Sequence, residues 1–452
     1  MKKHLSLLSF LAFSLALRIL IFQSVRLRLH TDSVTYLILS DLKTVRTPGY
    51  PFFIEVTQFF NDLLSVTPES LWLIVFFQLF LLGLVNSYLV YNLSRIITKS
   101  RGFAWVAGLL YQLNFFVIGF EFLILTETLT LTLLGLTVLF FRKIFEGKTS
   151  AAVLAGFFSL WLLLTRPTFI AFFLVLIGLG SLIFFRTVFK PGNLAKFLRP
   201  LLIFLFINLA GIGAWSYRNK VRHDYFGVSS LLPFQLSYYT RGFCQKYQKG
   251  SDEELDRYAD ILIQEGGQPF SFAARLEALD MPIGEISRIL LRLNLKLIKA
   301  NLPDYLRLVP GAAADYFACS WVWTEGRAEG LYRASPALTR LWTCFRDISG
   351  RIFANPAALF AFILVIPAVL IATQRRAKDV FFTLCLLEGA VIYNTFVSVL
   401  LTNADENNIR FRAPVEPFMW LIFFAALYML GKSLVPRLGR LYRRFARWPK
   451  RG

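Results

Sequence analysis

The most constraining feature of this sequence is a series of long, uninterrupted apolar blocks. Of its 452 residues 56% are hydrophobic, and the mean hydropathy is +0.56, which excludes an ordinary soluble domain. A helix needs roughly 20 apolar residues to cross a bilayer, and we predict about ten such helices. The predicted spans cover residues 5–25, 71–93, 102–120, 126–145, 150–164, 169–185, 197–215, 356–373, 380–401 and 417–434. Because the apolar runs are continuous rather than alternating, they predict a helical bundle and not a β-barrel.

The net charge of +21 is distributed in a way that predicts orientation. Basic residues concentrate in every second loop and in the C-terminal tail, which is the positive-inside pattern and puts both termini in the cytoplasm. The tail is also expected to touch anionic membrane lipids. The sequence has no basic platform interleaved with aromatic residues, so nucleic acid is not an expected partner. The single N-x-Ser/Thr acceptor, at Asn92, falls on the predicted cytoplasmic face, which favours the inner membrane of a bacterium.

The long loops all lie on the predicted outer side, so function is expected there. The predicted units are an N-terminal transmembrane module (1–215) whose first outer loop covers 26–70, a helical extracytoplasmic domain (216–355), C-terminal transmembrane helices (356–434) and a basic cytoplasmic tail (435–452).

Two helices are predicted within the extracytoplasmic domain. Ser251 and Glu254 have the capping-box spacing, which predicts a helix that ends at the glycine pair 266–267. Apolar residues at helical spacing predict a second helix over 285–300, with basic residues on its other face. The stretch Asn-Leu-Pro at 301–303 is predicted to end this helix. A disulfide between Cys319 and Cys344 is permitted on the outer side, and free buried thiols at these positions are an equal alternative.

The first outer loop joins an acid to a proline-glycine turn. Asp32 follows the first span, and the sequence RTPGYP occupies residues 46–51. The Pro-Gly pair suits the centre of a type II turn, and Pro51 suits the first turn of a helix over 52–63. This geometry would hold Arg46 and Tyr50 near the membrane surface. Considered alone, Asp32 is explained as well by capping the helix that follows it, and Arg46 by snorkelling to the lipid surface.

Three further stretches on the predicted outer side carry acids or arginines. They are LTET at 125–128, WSYRN at 215–219 and RFRAPVEP at 410–417. Together with the acid after the first span and the Arg-x-Pro-x-Tyr-Pro that ends its loop, they resemble the GT-C superfamily of membrane glycosyltransferases. The similar branch includes aminoarabinose transferases of lipid A and protein O-mannosyltransferases. The resemblance covers the membrane part and extends only loosely over residues 245–338.

The resemblance implies an all-α polytopic membrane protein with a GT-C-like bundle and a helical periplasmic domain. It implies an inverting enzyme that moves a sugar from a polyprenyl-phosphate carrier to a hydroxyl of a lipid, glycan or protein, in cell-envelope glycan biosynthesis or protein glycosylation. Nucleotide sugars are confined to the cytoplasm, so an outward-facing transferase needs a donor that has been flipped across the membrane on a lipid.

The resemblance makes Asp32 the first candidate for the base that takes the proton of the acceptor. Glu127 and Glu121 are candidates for a second acid that tunes Asp32, orients the acceptor or shares a divalent metal, and the need for a metal stays open. Glu127 is explained equally well as a charge favoured at a helix N-terminus.

Positive charge for the departing phosphate is expected from arginines, because guanidinium groups match phosphate oxygens. The candidate phosphate-binding residues are Arg46, Tyr50, Arg218, Arg410 and Arg412, with Arg166 as a weaker one. The main alternative function is a transporter or flippase of a lipid-linked substrate, which the position of these charges outside the spans disfavours.

Three polar residues inside the predicted spans have structural explanations. Arg18 is close enough to the end of its span to snorkel. Glu388 and Asn394 are expected to pair with polar partners such as Asn86, Asn114 or Gln112.

Overall fold

The computed structural model of the protein describes residues 2–24, 31–37, 47–63, 71–187, 194–250, 252–317, 340, 378–401 and 408–446. Every regular element in these ranges is a helix, and no β-strand occurs in them, which confirms the all-α class. The α-helices are α1 (Lys2–Ser24), α2 (Thr31–Leu37), α3 (Gly49–Leu63), α4 (Leu71–Phe76), α5 (Gly83–Thr98), α6 (Arg101–Gln112), α7 (Phe115–Glu121), α8 (Glu127–Phe141), α9 (Thr149–Thr165), α10 (Phe172–Thr187), α11 (Leu194–His223), α12 (Leu231–Thr240), α13 (Glu253–Gln264), α14 (Pro269–Glu277), α15 (Ile283–Ala300), α16 (Leu302–Phe317), α17 (Lys378–Leu401), α18 (Asn408–Arg412) and α19 (Glu416–Ala446). A π-helix, Phe77–Leu82, joins α4 to α5.

Six helical stretches in the described ranges are long and apolar enough to cross a membrane. They are Leu5–Phe22, Leu71–Thr98, Glu127–Glu146, Pro167–Phe185, Leu194–His223 and Val380–Leu401. Two shorter apolar helices, Thr149–Thr165 and Glu416–Met429, lie at the predicted fifth and last spans. The protein therefore has the helices of an integral membrane protein. The predicted eighth span, 356–373, lies outside the described residues.

The prediction of one continuous helix over the third span, 102–120, is wrong, because the helix is interrupted between the end of α6 at Gln112 and the start of α7 at Phe115. At the break, the side-chain oxygen of Asn114 accepts a hydrogen bond from the Val117 amide at 3.3 Å, and its amide donates to Glu416 at 3.2 Å. An asparagine side chain competes with helix backbone for hydrogen bonds and favours a cap position. The asparagine therefore starts a new helix within what is, by composition alone, one apolar run.

Helix α8 lies in the middle of the bundle. It packs against α5, α7, α9 and α17, and nearly all of its side chains are buried, as expected for a helix that is apolar on every face. Its first residue, Glu127, is thereby held at a fixed place at one end of the bundle.

The described residues after α11 are also helical, in α12 to α16. Helix α11 continues to His223, so one helix crosses the predicted boundary at residue 216. The cap of α13 is Asp252, whose side chain accepts from the Leu255 amide at 3.1 Å, and the predicted cap, Ser251, lies outside the described residues. Helix α15 begins two residues earlier than predicted, at Ile283, and α16 follows it directly after Asn301.

Three polar contacts attach this domain to α17 near the C-terminal end of that helix. The hydroxyl of Tyr239 donates to the Val399 carbonyl, and the hydroxyl of Tyr305 donates to the Leu400 carbonyl at 2.7 Å. Asn394 donates to the Tyr316 hydroxyl at 2.8 Å. The domain and the transmembrane helices are therefore joined at the end of the bundle where α18 begins.

Candidate functional site

Four charged side chains from distant parts of the sequence meet at that end of the bundle. Arg410 Nη1 donates to Asp32 Oδ2 at 2.5 Å, and Arg410 Nε lies 3.1 Å from Glu127 Oε1. Arg166 Nη2 lies 3.2 Å from the same Glu127 oxygen. We call Asp32, Glu127, Arg166 and Arg410 the charged cluster. It brings together four of the nine side chains predicted from the sequence.

The four side chains of the charged cluster differ in their exposure to solvent. The side chain of Asp32 is 29% exposed and that of Arg410 is 10% exposed, whereas Arg166 and Glu127 are 6% and 1% exposed. A ligand that approaches from outside the protein therefore meets Asp32 first. The two acids and two arginines balance one another in charge, as buried ionised groups require.

Both carboxylates of the charged cluster lie in the first turn of a helix. Asp32 is the second residue of α2, and Glu127 is the first residue of α8. Negative charge is favoured there because the backbone N–H groups at a helix N-terminus are not paired within the helix. Helix capping and membership of the charged cluster are thus compatible explanations of these two residues.

The electrostatics of the arginines follow from their neighbours. Burial alone would lower the pKa of Arg410, but the carboxylates of Glu127 and Asp32 outweigh it and raise that pKa above its ordinary value. Burial lowers the pKa of Arg166, and Glu127 offsets this only in part while Arg410 adds to it. Arg410 is therefore a fixed cation that holds two carboxylates beside it.

Aromatic rings line the charged cluster. The centroid of the Phe411 ring lies 4.7 Å from the guanidinium carbon of Arg166 and 5.6 Å from that of Arg410. On the α2 side, Tyr36 and Tyr50 pack edge to face with ring centroids 5.0 Å apart. The Tyr50 hydroxyl is buried and donates to Gln78 Oε1 at 2.7 Å, so its bond is made inside the protein. Burial, with help from Tyr36 and Glu127, raises the pKa of Tyr50 well above its ordinary value.

The predicted type II turn at residues 48–49 is wrong. Helix α3 starts at Gly49, the Phe52 amide donates to the Pro48 carbonyl at 2.8 Å, and Gly49 does not have a positive φ. Glycine is needed for a different reason, because a Cβ at this position would lie 2.5 Å from the Thr165 backbone nitrogen. Trp161 also donates to the Gly49 carbonyl at 2.9 Å. The start of α3 is thus pressed against the end of α9, next to Arg166. Arg46 lies outside the described residues.

Glu121 does not join the charged cluster. It forms an ion pair with Arg18, in which both side chains are almost wholly buried, and it accepts a hydrogen bond from the Tyr111 hydroxyl at 2.7 Å. The expectation that Glu121 acts beside Asp32 is therefore not supported, and the expectation that Arg18 snorkels is wrong. A buried arginine remains charged, and such a partner offsets the cost of removing that charge from water.

Arg412 and Arg218 also lie elsewhere. Arg412 is wholly buried, and it donates to Glu416 Oε2 at 2.8 Å and to the Tyr316 carbonyl at 3.1 Å, which ties α16 to α18 and α19. Arg218 stacks on Trp215 at 4.5 Å and donates to Asn219 at 2.9 Å, within its own helix. The structure thus gives both predicted phosphate ligands other contacts.

The polar residues inside the spans pair differently from the prediction. Asn394 donates to Tyr316 and to the Phe411 carbonyl, each at 2.8 Å, so it supports the segment that carries Arg410. The other polar residues bond elsewhere, Asn86 to Thr132, Gln112 to Ser87 and Asn114 to Glu416. Glu388 is buried, and its Oε1 has no hydrogen-bond partner among the described residues.

Sequence reasoning missed Gln78, which is wholly buried and contacts the segments on both sides of the charged cluster. A glutamine in an apolar span is a signal of function or of a specific polar partner, and that signal is present in the second span.

Metal ligation finds no support in the described ranges. They contain no group of three or more His, Cys, Asp or Glu residues arranged to hold a metal ion, and the two acids of the charged cluster contact Arg410. Cys319 and Cys344 lie outside the described residues.

The deep end of the charged cluster has polar atoms without partners. Glu127 Oε2, Arg166 Nη1 and Thr165 Oγ1 are buried and make no hydrogen bond within the described ranges. Such atoms are rare in native interiors and costly to leave unpaired. A carboxylate oxygen accepts and a guanidinium nitrogen donates, so a ligand hydroxyl, which does both, would satisfy two of these atoms.

No model of a known protein family matches the chain, and no curated protein shows significant similarity to it.

Proposed function

We propose that this protein is a GT-C-type membrane glycosyltransferase that moves a sugar from a polyprenyl-phosphate carrier to a hydroxyl of a lipid, glycan or protein. In this proposal the charged cluster is the transfer site, it lies on the outer face of a bacterial inner membrane, and both termini are cytoplasmic. The observation that carries the proposal is the contact of Asp32, the most exposed acid of the cluster, with Arg410, a cation held at the same place by Glu127.

The chemistry requires a base for the acceptor and a cation for the leaving group. Asp32 would take the proton of the acceptor hydroxyl while the acceptor oxygen bonds to the anomeric carbon of the sugar. The bond from that carbon to the phosphate oxygen breaks on the opposite face, so the configuration inverts and the electron pair leaves with the phosphate. A positioned carboxylate base contributes roughly 10²- to 10⁴-fold to such a rate.

Arg410 is the residue best placed to stabilise the departing phosphate. Its contacts with Asp32 and Glu127 use one nitrogen each, and a guanidinium has five N–H donors in a planar fork. Donors fixed before the reaction stabilise developing charge without reorganising. Arg166 is more deeply buried, and its role in the proposal is to hold Glu127.

Glu127 Oε2 and Arg166 Nη1, which are buried and make no hydrogen bond to the described residues, support a sugar as the transferred group. They offer an acceptor and a donor on two groups already in contact. Adjacent sugar hydroxyls match such a pair, and a purely apolar ligand does not.

The main test is the substitution Asp32→Asn, which keeps the shape of the side chain and removes its basicity. Mass spectrometry of envelope glycolipids and glycans from cells with and without the protein would first identify the sugar and acceptor. With the purified protein in proteoliposomes, we then expect Asp32→Asn to remain folded and to lower turnover by roughly 10²- to 10⁴-fold.

The matched control is Asp62→Asn, at an exposed acid near the end of α3, which should transfer sugar at the wild-type rate. Full turnover by Asp32→Asn would remove Asp32 as the base and with it the central element of the proposal.

A transporter or flippase of a lipid-linked substrate is a second candidate. The break between α6 and α7 and the buried Arg18–Glu121 pair are features found in transporters, whose sites are often built from interrupted helices with charges in the membrane. The same proteoliposomes distinguish the two functions. A transporter moves labelled substrate without any acceptor present, whereas a transferase yields glycosylated acceptor and requires Asp32.

A further inference from the structure

Gln78 connects the two sides of the charged cluster through its own side-chain amide. Its Oε1 accepts from the Tyr50 hydroxyl at 2.7 Å. Its Nε2 donates to the Leu123 carbonyl at 2.7 Å and to the Glu121 carbonyl at 3.2 Å. Each of these groups is buried, so no bond can be exchanged for one with water.

The first side of this connection leads to Asp32. Tyr50 packs on Tyr36 at 5.0 Å, and Tyr36 lies one helical turn after Asp32 on α2, a helix of seven residues. A short helix has little stability of its own, so its position depends on what it packs against. The Tyr50 hydroxyl bond orients the ring on which α2 rests.

The second side leads to Glu127. Residues 122–126 between α7 and α8 are not helical, and Leu123, Ile124 and Leu125 are buried. Buried backbone outside regular structure needs hydrogen-bond partners. The Leu123 carbonyl, four residues before Glu127, accepts from the Leu125 amide at 2.8 Å and has Gln78 Nε2 as its second donor. The glutamine therefore fixes the segment from which α8 starts.

Gln78 is itself placed by an unusual backbone. It lies on the π-helix, where the Gly83 amide bonds to the Gln78 carbonyl five residues back. Arg18 Nη1 donates to the Leu79 carbonyl in the same segment at 2.8 Å, and Arg18 is held by Glu121. A π-helical turn shifts the side chains before it relative to those after it, and such turns occur frequently at functional sites.

We propose that Gln78 is a positioning residue for the transfer site, which sets the distance between Asp32 and Glu127 on either side of Arg410. The inference rests on the proposed function for its catalytic consequence. It does not rest on it for the structural coupling, which can be measured without any substrate.

The coupling is tested with Gln78→Leu, which has a similar size and makes none of the three hydrogen bonds. Hydrogen–deuterium exchange of the protein in nanodiscs should become faster in residues 122–127 and 49–54. The matched control is Gln112→Leu, which removes a second wholly buried glutamine that bonds to Ser87. The control should leave exchange in those two segments unchanged.

The catalytic consequence is tested by kinetics with the same variants. Misplacement of reacting groups by about 1 Å can cost roughly 100-fold in rate, so we expect Gln78→Leu to lower kcat by about 10- to 100-fold with KM for the lipid donor within about twofold. Gln112→Leu should retain the wild-type kcat per folded molecule. Tyr50→Phe, which removes one bond and keeps the ring, should lower kcat by roughly 2- to 10-fold if Gln78→Leu fails to fold.

Unchanged exchange in both segments of Gln78→Leu, or a faster exchange with wild-type kcat, would overturn the inference. So would a rise in KM at constant kcat, because that assigns Gln78 to binding. If the wild-type protein transfers no sugar, the proposed function fails, and the exchange experiment alone decides whether Gln78 couples the two segments.

Discussion

The substitution Gly83→Ala probes how the buried ion pair inside the bundle is accommodated. A Cβ at this position would lie 2.0 Å from Arg18 Nη1 and 2.3 Å from its guanidinium carbon. The guanidinium would have to retreat by about 1.4 Å to reach the ordinary contact distance of 3.4 Å. It is held by Glu121 and by the Leu79 carbonyl, and a movement of this size breaks bonds of ordinary length.

The expected cost follows from those bonds. A hydrogen bond to a charged group contributes about 1.5–3 kcal/mol, and disruption of a buried ion pair costs about 3–5 kcal/mol. Replacing a helical glycine by alanine returns about 0.5–1 kcal/mol. We therefore expect Gly83→Ala to lower the free energy of unfolding by about 3 kcal/mol.

The assay is equilibrium unfolding in mixed micelles, followed by circular dichroism. Gly213→Ala on α11 is the control, because a Cβ there meets no described atom within 4 Å, and it should be neutral or slightly stabilising. In a chain that also carries Arg18→Met and Glu121→Gln, Gly83→Ala should cost less than about 1 kcal/mol, since a flexible apolar side chain can move aside. A wild-type stability for Gly83→Ala, or an equal cost in both backgrounds, would refute this explanation of the glycine.

Two further predictions concern the helical domain. Asp252→Ala removes the cap of α13 and should lower the free energy of unfolding by about 0.5–2 kcal/mol, as measured by chemical denaturation. Gln268→Ala, at the corresponding position of α14 where no side-chain cap bond is made, should have little effect, and equal losses for the two variants would contradict the capping role. The Gly250 amide, with Tyr247 and Lys296, lowers the pKa of Asp256 below its ordinary 3.8. The stability from this carboxylate is therefore fully present above that value and lost as the pH falls below it. Thermal unfolding of Asp256→Asn between pH 6 and 3 should lack this acid-side loss, and a parallel decline in both proteins would argue against it.

The apolar pattern of the sequence predicted helix positions well and helix ends poorly. The blocks at 5–25, 71–93 and 380–401 correspond to helices in the structure, because burial in lipid or in a bundle requires apolar runs of this length. The break at Asn114 was not predicted, because an asparagine inside an apolar run is as compatible with a continuous helix as with a cap. In the structure Asn114 caps α7 and is also held by Glu416, about 300 residues later in the chain.

The sequence pattern around Gly49 correctly indicated that a glycine is needed there, but it predicted the wrong reason. A Pro-Gly pair is typical of a type II turn, but Gly49 is helical and is required by its contact with Thr165 on α9. The need for a small residue at a close approach between helices cannot be distinguished from a need for positive φ by looking at neighbouring residues alone.

The arginines of the candidate site show the same limit. Arg410 and Arg412 are two residues apart on α18, and only Arg410 joins Asp32 and Glu127, whereas Arg412 binds Glu416. Residues two apart on a helix do not share a face, so one motif necessarily sends its two charges to different places. Which of them meets the acids depends on how α18 is rotated against its neighbours.

The sequence by itself determined that this chain is a helical membrane protein and that its acids and arginines lie near the ends of apolar segments, because hydropathy and charge are properties of each segment alone. Only the tertiary structure decided that Asp32, Glu127, Arg166 and Arg410 form one cluster while Glu121, Arg218 and Arg412 are engaged elsewhere. The physical reason is that a buried charge needs a partner within a few ångströms, and the identity of that partner depends on how the helices pack.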